Sequence, residues 1–242
     1  MLANFLDLPR ELRDQIYKLV LVAERPFVLE LEIDTCYYPL SLTPQLLRTN
    51  KMIHCEATPL LYTHNHFDFH MAESPAVTKF LDSIGHENAK HLRHIRIDFP
   101  RMHNLGKYYF RIRNNSIRVL EKFQSDCPNL RTLTISLSST RAIASDLKAL
   151  DSPQVIAEVL VLVNARLRAV SSQAEIIIET YEDTLNTDMK RSIGSYGWTI
   201  KAMVPVAGLC DDLCWDHSAS SSSSSYDKDD DEDEDDDDID MG

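Results

Sequence analysis

The chain has 242 residues, 43% of them hydrophobic, which is enough apolar material for one large domain or two small ones. Its formal net charge is −13, but residues 227–240 hold twelve acidic side chains and one lysine, so the rest of the chain carries only −2. Its sequence has no apolar run long enough for a membrane helix, no secretory signal, and only five unevenly spaced cysteines. We therefore expect a soluble intracellular protein, cytoplasmic or nuclear, with no membrane contact.

The segment 7–21, DLPRELRDQIYKLVL, predicts an amphipathic helix that begins near Pro9. A proline in the first turn loses only a backbone donor that the helix leaves unpaired anyway. One stripe of the helix collects four apolar side chains: Leu12, Ile16, Leu19 and Val20. This stripe either covers the protein's own core or is a contact for a partner, and the pattern alone favours the core.

The next hundred residues predict short strands between helices. Alternation predicts a strand over Phe27–Ile33 and another in NHFDFHM, with Phe67, Phe69 and Met71 on its inner face. The pairs Thr43-Pro44 and Thr58-Pro59 each have the form of an N-cap followed by a first helical residue. They predict one helix from Pro44 and a second, short helix at Leu60–Tyr62.

From residue 77 onward, helical and strand patterns alternate, which favours a parallel sheet with right-handed crossovers. LRHIRI at Leu92 and LRTLTI at Leu130 match in register 38 residues apart, and no third copy is convincing near Glu175. The predicted units are helices around 77–84, 117–123 and 155–167, and strands around 95–99, 133–137 and 175–181.

Two motifs in the first hundred residues resemble a known family. LPREL followed by Ile16 matches the LPxEL...I start of an F-box, and LLRTNKMIHCEATPLLYTHNHFDF, at 46–69, resembles the second half of the F-box-like domain of uncharacterised proteins of filamentous fungi. FLDSIGHENAKHLRHIRID, at 80–98, resembles the segment that follows that domain. The continuation after it resembles a degenerate leucine-rich repeat.

The resemblance implies a protein-protein interaction module, the substrate-recognition subunit of a Skp-cullin-F-box ubiquitin ligase, with an unknown protein substrate. It places Leu8, Pro9, Leu12 and Ile16 against the Skp adaptor. The chain departs from the family because residues 25–44 separate the first two helices and the usual tryptophan of the later helix is absent, Tyr62 being the nearest aromatic residue. The alternative is an orphan interaction protein that keeps the fold without binding the adaptor.

The predicted fold is of the α+β or α/β class and has three parts. An F-box-like domain with an inserted strand occupies 1–72, an alternating repeat-like domain with a short parallel sheet 73–216, and a disordered Ser-rich acidic tail 217–242. In a leucine-rich-repeat geometry, six polar strand residues would face away from the helices and form the partner-binding surface. These are His94, Arg96, Asp98, Thr132, Thr134 and Ser136.

Enzyme signatures are missing: the six glycines form no phosphate-binding loop, dinucleotide fingerprint or nucleophile elbow, so we predict neither catalysis nor a cofactor. Two groups, His64 with His66 and His70, and Cys210 with Cys214 and His217, are conceivable metal ligands by type. A solvated strand face and ordinary thiols explain them better, because neither group has an assured fourth ligand or a CxxC spacing. We therefore predict no metal site.

Residues 88–118 hold eight basic side chains and the single acid Asp98, with Tyr108, Tyr109 and Phe110 interleaved. This composition makes nucleic-acid binding a remote alternative, through phosphate neutralisation and base stacking. The acidic tail could instead screen this segment. Ser224, three residues before Asp227, is a candidate for phosphorylation by an acid-directed kinase.

Overall fold

The computed structural model describes residues 4–29, 36–37, 43–70, 72–103, 110–149 and 152–204. These residues belong to one compact unit, Met1–Pro205. The predicted tail 217–242, including Ser224, and the Cys210, Cys214 and His217 group lie outside the described residues, as do Met71 and the second half of the strand predicted at Phe27–Ile33.

A seven-stranded sheet organises the described part of the chain, and six of its strands are parallel. The spatial order is β2-β1-β3-β4-β7-β8-β9, with only β2 antiparallel to its neighbour, and β5 pairs with β6 in a separate hairpin. The strands are β1 (Phe27–Leu29), β2 (Cys36–Tyr37), β3 (His66–Asp68), β4 (His94–Ile97), β5 (Met102–His103), β6 (Arg111–Ile112), β7 (Thr132–Ile135), β8 (Glu175–Thr180) and β9 (Thr199–Ala202).

Eight α-helices accompany these strands within the described residues; the first precedes β1 and the other seven lie in the connections between strands. Each parallel strand lies beside the one that precedes it along the chain, so every crossover advances the sheet in the same direction. Because such crossovers are almost always right-handed, the connecting helices collect on one face. The helices are α1 (Arg10–Leu21), α2 (Lys51–His64), α3 (Ser74–Ile84), α4 (His86–Ala89), α5 (Asn114–Asp126), α6 (Leu137–Ala149), α7 (Pro153–Val170) and α8 (Thr187–Ser195).

The core lies between this helical layer and one face of the sheet. Ile95, Leu133 and Ile176 occupy equivalent positions on three adjacent strands and are buried, and the isoleucines two residues further on repeat the arrangement. The residues between them point to the other face and keep partial exposure on β4 and β7. This period-two alternation makes one face apolar and the other polar.

The predicted helices and parallel sheet are confirmed, with the strands β4, β7 and β8 near the predicted positions. The register continues into β8, where Glu175 is opposite Thr132, although the sequence shows no convincing third copy there. The sheet is also continuous from β3 to β4, across the predicted domain boundary at residue 72.

Two local predictions are wrong, and three elements were not predicted. Thr58-Pro59 does not begin a helix, because Pro59 lies inside α2, where the carbonyl it leaves without a partner belongs to the exposed Cys55. Leu137 does not extend β7 but begins α6, after Ser136 accepts a hydrogen bond from the amide of Ser139. The helices α6 and α8 and the strand β9 were not predicted from the sequence.

Of the helices in the described ranges, none is both long enough and apolar enough to span a membrane.

Candidate functional site

The polar face of the sheet is the first candidate site. Its side chains form rows across the strands because the register aligns them: His66, His94, Thr132 and Glu175 in one row, and Asp68, Arg96, Thr134, Ile177 and Thr199 in the next. Five of the six residues predicted for the partner surface keep partial exposure here. Ser136 differs, because it is fully buried and its hydroxyl donates to Asp98 Oδ1 at 2.6 Å.

Arg96 is the centre of a charge network on this face. Its Nη1 lies 2.7 Å from Asp68 Oδ2 on β3, and its Nη2 lies 2.8 Å from Glu179 Oε2 on β8. To reach β8 the side chain passes over β7, where the residue beside it is the small Thr134. The network therefore ties three strands together through one guanidinium.

The two carboxylates of this network are almost completely buried, with 2% of the Asp68 side chain and 9% of the Glu179 side chain exposed. Each has a second basic neighbour: His70 Nδ1 lies 2.9 Å from Asp68 Oδ1, and Lys201 Nζ lies 3.4 Å from Glu179 Oε1. Although burial opposes it, hydrogen bonding from His70 and the charge of Arg96 lower the pKa of Asp68. The hydrogen bond to Asp68 in turn raises the pKa of His70.

At the amino end of the same face, two histidines lie side by side. The rings of His66 and His94 stack with their centroids 4.6 Å apart, and His94 Nδ1 lies 2.8 Å from Thr132 Oγ1. Burial lowers the pKa of both imidazoles, and the proximity of His66 lowers that of His94 further. Both shifts favour the neutral imidazole, so these two rings offer aromatic surface and hydrogen bonds in the same row as the carboxylate of Glu175.

The outer face of α1 is the second candidate site. The side chain of Leu12 is 45% exposed and that of Leu19 is 82% exposed, while Ile16 is half-buried between them. Pro9 is exposed and Leu8 is half-buried just before the helix. The expectation that the whole stripe covers the core is wrong, because the buried residues of α1 are Tyr17 and Leu21.

A polar anchor explains why α1 presents this face outward. Arg13 Nε and Nη2 donate to the carboxylate of Glu56 on α2 at 2.9 and 2.6 Å, and the Tyr17 hydroxyl donates to the same carboxylate at 2.9 Å. The hydrogen bonds from Arg13 lower the pKa of Glu56 to about 2. At the other end of the helix, Asn65 Nδ2 donates to the carbonyl of Leu21 at 2.7 Å. The side of α1 with Arg13, Tyr17 and Leu21 thus faces α2, which leaves Leu12 and Leu19 exposed to solvent.

Three arginines of the basic segment 88–118 lie at different places around β4. Arg93 precedes β4 and Arg101 follows it, so they lie at opposite ends of the strand, while Arg96 is engaged on the polar face. Arg113 lies close to Arg101, because its amide donates to the carbonyl of Arg101 at 2.8 Å. Lys107 and both interleaved tyrosines lie outside the described residues.

The three histidines of HNHFDFH do not converge on one strand face. His64 is the last residue of α2, with Nδ1 3.3 Å from the carbonyl of Leu60, whereas His66 stacks on His94 and His70 contacts Asp68. Over the part of the chain that the structure describes, no group of three or more potential ligands could hold a metal ion.

Sequence reasoning missed several residues of the polar face: Asp68, His70, Glu179 and Lys201. Asp68 and His70 alternate with buried phenylalanines, which was a usable signal for a polar strand face. Asp68 and Glu179 are 111 positions apart in the sequence. They share Arg96 because of the order of the strands in the sheet, which no local sequence pattern predicts.

Comparison with protein-family models, with curated proteins and with solved structures gave no match in any of the three searches.

Proposed function

We propose that this chain is a protein-protein interaction module of the F-box-like kind, in which the outer face of α1 docks on the Skp adaptor of a cullin-type ubiquitin ligase. The polar face of the sheet then holds the protein substrate. The proposal joins the LPREL and LLRTNK motifs, which resemble the family, to the surfaces described above.

The observation that carries the proposal is the exposure of the α1 leucine stripe. Leu12 and Leu19 leave large apolar surfaces in water although the same helix buries Tyr17 and Leu21. Burying one such leucine side chain is worth about 1.5–3 kcal/mol, which a partner that covers the stripe would gain. The anchor at Glu56 holds the helix in this orientation, so the stripe is available without rearrangement.

The insertion at 25–44 is compatible with adaptor docking. Despite about twenty intervening residues, α1 and α2 are in direct contact through Glu56 and Asn65. The first strand of the insertion, β1, pairs with β3 and extends the sheet, and its buried Phe27 stacks on Phe67 at 5.1 Å. The described part of the insertion contacts the stripe at Val20, whose carbonyl accepts from the amide of Thr43 at 3.1 Å, and Leu12 and Leu19 stay exposed.

A leucine-rich-repeat-like role for the sheet is supported by its topology. Six parallel strands follow one another in chain order, and the face opposite the buried isoleucines offers the neutral His94 and Thr132 beside the charged Arg96. A protein substrate with polar side chains matches this surface, since it provides donors and acceptors in fixed rows. We assign substrate recognition to this face.

Co-purification of the full-length protein with purified Skp adaptor tests the proposal. Leu12→Lys should abolish retention, because it places a charge in the centre of the stripe. Val161→Lys is the matched control: Val161 is an exposed apolar residue on α7, outside the stripe. Both variants should remain folded by circular dichroism, because neither side chain is buried.

Loss of retention in Leu12→Lys with retention of Val161→Lys would support adaptor docking. Failure of the wild-type protein to retain the adaptor would overturn this part of the proposal and favour the orphan interaction protein. In that case the polar face of the sheet would be the remaining interaction surface.

A further inference from the structure

A polar cleft opens at the amino ends of three neighbouring strands, β4, β7 and β8, separate from the α1 leucine stripe. Its volume is about 710 Å³, and its walls come from Arg93, from Gln124 on α5, from the turn 128–131 and from residues 168–173, which include the end of α7. The amino end of a parallel sheet collects these three connections because the strands run in the same direction.

Three arginines line this cleft: Arg93, Arg131 and Arg168. No carboxylate is among the described residues that line it, and within the described ranges none of the three arginines forms an ion pair with an acid. Asp126 and Glu175 each lie two positions from a lining residue along the chain. Asp126 pairs with Lys122 at 2.9 Å, Glu175 accepts a hydrogen bond from Thr199 Oγ1 at 2.8 Å, and neither is part of the lining. The cleft is therefore a concentrated positive site without an internal counter-charge.

Two of the three guanidiniums are fixed by backbone carbonyls. Arg168 donates from Nη1 to Ala174 O at 2.9 Å and from Nη2 to Tyr196 O at 3.1 Å, and Arg93 donates from Nη1 to Lys90 O at 2.8 Å. An arginine has five N–H donors, so each of these two keeps further donors for a ligand. Arg131, the third arginine of the cleft, is exposed and directly precedes β7.

The positions of Arg93 and Arg131 are electrostatically unfavourable in the absence of an anion. Burial lowers the pKa of Arg93, and the positive charge of Arg131 lowers it further. Neighbouring backbone explains their proximity, because the amide of Arg131 donates to the carbonyl of Arg93 at 2.8 Å. A bound dianion would offset this repulsion and the loss of hydration together.

We propose that this cleft binds a phosphate monoester group. A phosphate monoester carries a charge of about −1.5 to −2 at pH 7 and three acceptor oxygens, so it can accept hydrogen bonds from more than one of the arginines that line the cleft, which a single carboxylate does less well. Neutral donors from Asn129, Ser172 and Gln173 line the same cleft and can contact the rest of the ligand. The group is carried either by a small phosphate ester or by a phosphorylated side chain, and the chemistry at the arginines is the same for both. This site is independent of adaptor docking by α1.

Calorimetric titration of the full-length protein tests the site with two probes, O-phosphoserine and a peptide that contains one phosphoserine. Arg131→Gln is the test variant, because this side chain is exposed and its replacement should not affect folding. Arg166→Gln is the matched control: it removes the same charge from an exposed position of α7 outside the cleft. We expect binding of at least one probe, weakened about tenfold or more by Arg131→Gln and less than twofold by Arg166→Gln.

The two probes distinguish the sources of the phosphate. Equal affinity for both would support a small phosphate ester, and tighter binding of the peptide would support a phosphorylated protein segment. Three results would overturn the proposal: no binding of either probe at millimolar concentration, equal effects of the two arginine variants, or equal affinity for a peptide with glutamate in place of phosphoserine.

Discussion

Replacement of Arg96 by Met tests the charge network of the polar face, because it keeps an unbranched apolar stem and removes the charged guanidinium. The change leaves the buried carboxylates of Asp68 and Glu179 without their shared partner. Removing one member of a buried ion pair costs about 3–5 kcal/mol, and the remaining contacts from His70 and Lys201 favour the lower end. We therefore expect the free energy of unfolding to fall by about 3 kcal/mol at pH 7.

Urea denaturation followed by circular dichroism measures this change, and thermal denaturation should show a midpoint lower by about 6–12 °C. Arg191→Met is the control, since Arg191 and Asp188 form an ion pair in which both side chains are largely exposed. Its expected cost is about 0–0.5 kcal/mol. A loss in Arg96→Met as small as in the control would refute the assignment of Arg96 as the central partner of two buried acids.

The dependence on pH gives a second measure of the same network. The pKa of Asp68 is lowered in the folded state, so the stability it contributes is present above its unfolded pKa and is lost as the pH falls through its folded pKa. The difference between wild type and Arg96→Met should therefore shrink below about pH 4. Adding Asp68→Asn to Arg96→Met should restore part of the stability, because it removes one uncompensated charge. A further loss in this double variant would contradict the account.

Three other changes test separate parts of the structure by urea denaturation. Glu56→Gln should lower the free energy of unfolding by about 2 kcal/mol at pH 7. Because the pKa of Glu56 is lowered from 4.5 to about 2, the difference in stability between this variant and wild type should fade as the pH drops through this interval. A difference that does not change with pH would exclude the pairing with Arg13 as its cause. Gly85→Ala should lower the free energy of unfolding by about 2 kcal/mol, because the φ of Gly85 is 77°. Gly194→Ala, in α8 with open space around it, should raise the free energy of unfolding by about 0.5 kcal/mol. Equal effects of the two changes would argue against strain at Gly85. Leu12→Lys should change stability by less than about 0.5 kcal/mol, and a larger loss would place Leu12 in the core.

Sequence patterns predicted the sheet where burial is strictly alternating. Ile95 with Ile97 and Leu133 with Ile135 alternate with polar residues, so both the strands and their polar faces could be predicted. The segment that forms α6 begins LSSTR, a serine-rich run that resembles a turn, and its helical pair Ile143 and Leu147 is too short a signal to outweigh it.

The orientation of α1 could not be predicted from its own amphipathic pattern. Its four-residue apolar stripe is the more hydrophobic side, yet Tyr17 is buried beside the Arg13–Glu56 ion pair on the other side. Glu56 is 43 residues from Arg13 in the sequence, and only the packing of α1 on α2 brings them together. The same limit applies to the cleft, where Arg93, Arg131 and Arg168 come from three separate connections.

Amide hydrogen exchange of the full-length protein, with and without purified Skp adaptor, tests the central claim most directly. We expect additional protection in α1, at residues 10–21, with no change in the strands at 94–97 and 132–135. No additional protection anywhere, or protection confined to another element, would contradict the assignment of the α1 leucine stripe as the adaptor-docking surface.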